Sequence, residues 1–144
     1  MNSKKITKWA SLGILALLLF YVGSIVWFET RLGMNQPQGS TSLVLATFNS
    51  DGERHERVLR LEQIDGKSYI SVNHWPRRWY GNALDNPNVE VKMPGEDAFA
   101  PYTAVPLEGE ELDYVSGIYT FDFNFRFRTG FPPRRFLRLD QRPG

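Results

Sequence analysis

Residues 42–73 read SLVLATFNSDGERHERVLRLEQIDGKSYISVN. Two Asp-Gly pairs, Asp51-Gly52 and Asp65-Gly66, separate three β-leaning runs. Asp-Gly between such runs is the strongest short-range hairpin signal, because glycine supplies the positive φ of a tight turn. The expectation is a three-stranded meander over 42–48, 53–64 and 67–73.

Toward the C-terminus, WYGNALD (79–85) reads as a short helix stopped by Asn86-Pro87, since a residue before proline avoids the α region. NVEVKM (88–93) alternates like a strand with one buried face. AFAPYTAVPL (98–107) is β-leaning but broken by prolines, which predicts an edge strand. Residues 108–119 open with acids and carry Leu112, Val115 and Tyr119 at helical spacing, which predicts a second helix. FLRLD (136–140) closes the pattern as a last strand. About six strands and two helices over residues 42–144 predict a single α+β domain, most simply a small barrel.

Toward the N-terminus the chemistry changes. WASLGILALLLFYVGSIVWF (9–28) contains no charged residue. About 20 apolar residues in a helix span roughly 30 Å, the thickness of a bilayer's hydrocarbon layer. Trp9 and Trp27 stand at its ends, where indoles favour the membrane interface. The run is too long for a signal peptide and lacks a small-x-small cleavage site. Lys4, Lys5 and Lys8 precede it, whereas Glu29 and Arg31 follow. By the positive-inside rule, residues 1–8 are cytoplasmic, 9–28 a single transmembrane helix and 29–41 a linker. The domain from residue 42 is then periplasmic on a bacterial inner membrane.

A formal net charge of +1 gives no bias toward nucleic acid. The absence of cysteine removes disulfides, thiolate metal sites and cysteine nucleophiles. Within HWPRRWY (74–80), Arg77 and Arg78 precede a helix start, where free backbone N–H groups and the helix dipole favour anions. Trp75, Trp79 and Tyr80 offer rings that stack or pack. The competing reading is a well-packed barrel corner. His55 and His74 have no partner at metal-ligand spacing and read as structural or surface residues. Arg54, Arg57 and Arg60, alternating with Glu53, Glu56 and Glu62, read as a solvated mixed-charge strand face. Arg126, Arg128, Arg134, Arg135, Arg138 and Arg142, interleaved with Phe125, Phe127, Phe131 and Phe136, suit anionic lipid headgroups, a phosphate, or arginine stems laid over aromatic edges.

RRWYGNALDNPNVEV (77–91) resembles the Trp-Tyr-x-Asn-Leu-x-x-Asn-Pro-x-Val segment of split β-barrel flavoproteins. It is most similar to the deazaflavin-dependent nitroreductases, relatives of pyridoxamine phosphate oxidase-like barrels. Trp79, Tyr80, Asn82, Asn86, Pro87, Val89 and Val91 carry the match, with LEGEEL (107–112) and RTG (128–130) as lesser ones. The resemblance covers residues 42–140. It implies a deazaflavin or FMN cofactor and no metal. Arg77 and Arg78 would hold its phosphate, Trp79, Tyr80 and Asn82 would shape the ring site, and Tyr119 and Phe125 would line the acceptor side. It also implies a homodimer and, with the anchor, a quinone- or nitro-like acceptor. No residue stands out as an obligatory acid or nucleophile, which suits chemistry carried by a cofactor. One departure is plain: the family's phosphate turn, Gly-Arg-Lys-Ser/Thr-Gly, is replaced here by FNSDG (48–52). The rival expectation is a non-catalytic, membrane-tethered barrel that binds a small ligand or a partner protein.

Overall fold

Both Asp-Gly pairs turn as their composition requires. Asp65 and Gly66 have φ of 50° and 76°, the paired positive values of a two-residue hairpin turn. Gly52 has φ of 79°, and the Asn49 side chain accepts from the amides of Asp51 and Glu53 to fix that loop. The computed structural model describes residues 3–35, 39–72, 75 and 77–143.

Among these residues the strands are β1 (Ser42–Phe48), β2 (Arg54–Ile64), β3 (Lys67–Val72), β4 (Asn88–Lys92), β5 (Ala100–Pro106) and β6 (Arg135–Gln141). The helices are α1 (Ser3–Met34), α2 (Arg78–Asp85), α3 (Gly109–Ile118) and α4 (Phe123–Arg128). The strands close into an antiparallel barrel in the order β1-β2-β3-β6-β5-β4. The α+β barrel and its meander agree with the sequence pattern.

Residues opposite each other in an antiparallel pair share a face. Leu43 and Leu45 of β1, Ile70 and Val72 of β3, Val89 and Val91 of β4, and Leu137 and Leu139 of β6 therefore fill the barrel interior. Trp79, Tyr80 and Ala83 of α2 join the same cluster. A second, smaller cluster lies outside the barrel, where Val115 of α3 covers Tyr69 and Phe136.

Three expectations need correction. β5 is no edge: it pairs with β4 on one side and β6 on the other. Its prolines are tolerated because they stand near the ends, Pro101 second and Pro106 last. There is also a helix beyond those expected, α4, over a Phe-x-Phe-x-Phe stretch whose alternation imitates a strand. Asp122 starts it by accepting from the Phe125 amide at 2.7 Å. Finally, α1 continues past the apolar run to Met34, so the first part of the expected linker is helical.

At 1.5 Å per residue, the 32 residues of α1 extend about 48 Å, long enough to cross a bilayer and emerge from it. Most of the helix is exposed, but Tyr21, Ile25, Phe28, Glu29 and Leu32 are half-buried. Tyr21, Ile25, Phe28 and Leu32 recur at helical spacing, a single stripe turned toward the rest of the chain.

Candidate functional site at the start of the second helix

β2 is long enough to run past the filled part of the barrel. Its register sets His55 opposite Thr47 and Arg57 opposite Leu45. Thr47 and Leu45 are buried, so His55 and Arg57 continue the inward face beyond Leu59 and Leu61. This places them against the start of α2. The result is a cleft of about 480 Å³ lined by Thr30, His55, Glu56, Arg57, Arg77, Arg78 and Trp79.

Arg77 stands at the cap position of α2 in an extended conformation, with no side chain capping the first turn. The Tyr80 amide donates to the Arg77 carbonyl at 3.0 Å, which leaves the Arg78 and Trp79 amides to solvent or a ligand, with no acid in that turn to compete for them. The Arg77 guanidinium donates to the Glu29 carboxylate at 2.9 Å, which fastens the barrel to α1. Arg78 is exposed and has no ion-pair partner among the described residues. The buried Nε2 of His55 has no hydrogen-bond partner among the described residues; the Glu53 carboxylate is 3.9 Å away, too far for one. A second hollow of about 290 Å³ adjoins on the α1 side and shares Thr30 and Arg77 with the cleft. A roomier one, about 590 Å³, lies around Arg60–Gln63 and Met93–Pro94, without a helix start or a cluster of cations.

The expected site residues separate into groups. Arg77, Arg78 and Trp79 meet in the cleft. Tyr80 and Asn82 are buried beneath it: Tyr80 in the barrel core, and Asn82 with its amide 3.5 Å from the Thr47 hydroxyl. Tyr119 is elsewhere. Its hydroxyl donates to the Gln63 carbonyl at 3.4 Å, eight residues along β2 from His55, or about 26 Å at strand spacing. It packs with Phe136 over the outer cluster and does not line the cleft. Phe125 contacts α1, edge-on to Phe28 at 6.4 Å. Trp75 donates to the Thr129 carbonyl at 2.7 Å, whereas His74 lies outside the described residues.

His55 and Arg57 were missed because the charge alternation along β2 is that of a solvated face. That reading does hold for Arg54, which pairs with Glu56 and Glu90, and for Arg60, which pairs with Glu62. The parity with Leu59 and Leu61 was the available signal.

The FNSDG turn (48–52) is closed on itself. The amides of Asp51 and Glu53 are taken by the Asn49 side chain, and that of Gly52 by the Asn49 carbonyl. LEGEEL also has a packing role. Glu111 accepts from Arg138 at 2.5 Å and from the Tyr69 hydroxyl at 3.0 Å, tying α3 to β6 and β3. Arg138 also grips Asp140 through two nitrogens at 2.8 and 3.0 Å. The Arg138 guanidinium holds both carboxyls below their ordinary range. Burial, helped by the Glu111 carboxylate, pushes Tyr69 up to about 12. This network lies outside the barrel and away from the cleft.

No family model matches the chain, and no curated protein sequence does either. Solved structures do match. One described as a domain-swapped dimer is 20% identical over 72% of this chain and 82% of its own, with a TM-score of 0.56. An F420-H2 dependent reductase (FDR-A) is 20% identical over 69% of this chain and 94% of its own, with a TM-score of 0.51. A candidate pyridoxamine 5'-phosphate oxidase from Listeria innocua is 15% identical over 72% and 85%, with a TM-score of 0.50. At such identities the likeness is one of fold: residues 42–141 form the split β-barrel on which these proteins are built.

Proposed function

We propose that the chain is a membrane-anchored oxidoreductase that binds a flavin-like cofactor, deazaflavin or FMN, in the cleft at the start of α2. Reduced there, the cofactor would supply hydride to a quinone- or nitro-like acceptor. The observation that carries this reading is the cleft itself, where an uncapped helix start, Arg78, Arg57 and an unpartnered His55 nitrogen surround one space. Its volume lies in the range of small-molecule sites. The donors suit a phosphate or another anion, and Trp79 suits a flat ring.

Within this reading the residues divide their work. Arg78 and the first-turn amides of α2 hold the phosphate, since the FNSDG turn offers it nothing. Arg77 keeps the cleft joined to α1 through Glu29 and turns part of its charge inward. Trp79 forms a wall, and Tyr80 and Asn82 hold that wall from below. Phe125 of α4, packed against Phe28 of α1, borders the path of an acceptor arriving from the bilayer. The helix α1 spans the inner membrane with its N-terminus cytoplasmic, and two copies associate through their barrels. A non-catalytic barrel binding a small ligand or a partner protein is the second reading, and the self-closed FNSDG turn favours it.

The test is titration of the full chain in detergent with FMN and with a reduced deazaflavin, followed by fluorescence. Saturable binding is expected, weakened about tenfold or more by Arg78→Ala, the loss of one charged hydrogen bond. Arg77→Ala is a poor probe because it also releases Glu29. Absence of saturable binding, or binding indifferent to Arg78→Ala, would sink the cofactor reading and leave the second.

A further inference from the structure

α4 lies against the upper part of α1, inside the stretch apolar enough to span a bilayer. The Tyr21 hydroxyl donates to the Phe127 carbonyl at 2.9 Å, and the two rings meet at 4.9 Å. About two helical turns toward the barrel, the Arg128 guanidinium covers Phe28 at 5.4 Å. Between these levels, Gly130 is packed so closely on Ile25 that a Cβ would stand 2.7 Å from Cδ1. The contacts therefore descend α1 from Phe28 to Tyr21, about 10 Å of helix.

Much of the segment's aromatic surface is nevertheless open, with Phe127 reaching from Tyr21 to the exposed side. Phe123, Phe127 and Phe131 are 72%, 46% and 43% exposed, yet their rings lie together at 5.8–6.4 Å. A contiguous aromatic patch of this kind marks an interaction surface rather than scattered exposure. Around it, residues 121–135 carry four arginines and one acid, Asp122, whose carboxylate is engaged at the start of α4. The Nε and Nη2 atoms of Arg134 are buried without a hydrogen-bond partner among the described residues, the guanidinium lying over Phe121 and Phe136.

We propose that residues 123–131 form an interfacial wedge that seats the barrel on the bilayer. Phe123, Phe127 and Phe131 enter the boundary between headgroups and acyl chains, and Arg126 and Arg128 meet anionic phospholipid headgroups. The inference rests on α1 being a membrane span. A lipid surface is favoured over a second copy for two reasons. The patch is continuous with the apolar face of α1, and its surplus arginines would repel an identical face. The descent along α1 also matches the depth, about 5–10 Å, to which interfacial helices sink. Seated this way, the cleft with Thr30 in its wall opens at the membrane surface.

The native chain contains no cysteine, so single cysteines can be spin-labelled without background. The full chain, carrying Phe123→Cys, Phe127→Cys, Gly13→Cys or Ser50→Cys one at a time, is reconstituted in phosphatidylcholine vesicles with and without phosphatidylglycerol. Collisional accessibility to oxygen and to a water-soluble nickel complex is then measured. Labels at 13, 123 and 127 are expected to favour oxygen, and the label at 50 nickel, with 123 and 127 about 5–10 Å below the phosphates. Arg126→Gln with Arg128→Gln should move the 123 label outward only when phosphatidylglycerol is present. If position 13 favours oxygen while 123 and 127 favour nickel, the span stands and the wedge is overturned. If position 13 favours nickel, the span fails and the wedge with it. Spin–spin broadening at 123 with little access to either reagent would put a second copy on the patch and also overturn the proposal.

Discussion

Gly130 illustrates how one residue carries two constraints. Its φ of 73° lies where an L side chain is strained, and its Cα faces Ile25 of α1. Gly130→Ala is expected to destabilise the chain by about 1–2 kcal/mol from backbone strain alone, read as a lower melting temperature in detergent. The Ile25 contact adds less, because the end of that side chain can turn away. Glu29 and Arg77 make the other decisive residue-scale contact, with side chains 12% and 25% exposed. A double-mutant cycle with Glu29→Ala and Arg77→Ala should give a coupling of about 0.5–3 kcal/mol in thermal unfolding. A coupling near zero would mean that the Glu29–Arg77 ion pair adds nothing to the joint between α1 and the barrel. None of this was legible in the sequence. Gly130 sat in a three-residue motif, and Arg77 was read only as a donor to a ligand, because its partner is 48 residues away.

At the scale of elements, the local signals worked where a single mechanism governs. Asp-Gly made both hairpins, Asn86-Pro87 ended α2, and Leu112, Val115 and Tyr119 all turned one face of α3 inward or against its cluster. They left α4 unassigned, although Asp122 caps it through the Phe125 amide, and they misjudged β5, where two prolines suggested an edge that ring closure abolishes. The attachment of α3 gives a pH prediction. Glu111 and Asp140 have folded pKa values lowered first of all by Arg138 hydrogen bonds. Depressed carboxyls contribute stability that is present above the unfolded values near 4 and lost as pH falls through the folded ones. Melting temperature measured by circular dichroism should therefore decline on acidification below about pH 4, and Glu111→Gln should flatten that decline. A Glu111→Gln variant with an unchanged acid limb would remove the network from the account.

For the whole molecule, the barrel and the long apolar helix are separate statements in the sequence, and what joins them appears only when the chain is folded. Residues 9–28 announce their length and apolarity, which depend on composition alone, and the meander announces itself through turn chemistry and period. Pattern of this kind is local, so the sequence by itself determined the strands, the apolar helix and the arginine pair at the start of α2. Long-range register decided the rest. Pairing of β1 with β2 turned His55 and Arg57 inward to the cleft, closure of β4 on β1 made a barrel without edges, and packing of α4 on Tyr21–Phe28 brought aromatic rings and arginines to the level of the apolar helix. A side chain's face depends on its partner across the sheet or bundle, and that partner is chosen by burial summed over the whole core rather than by its neighbours in sequence.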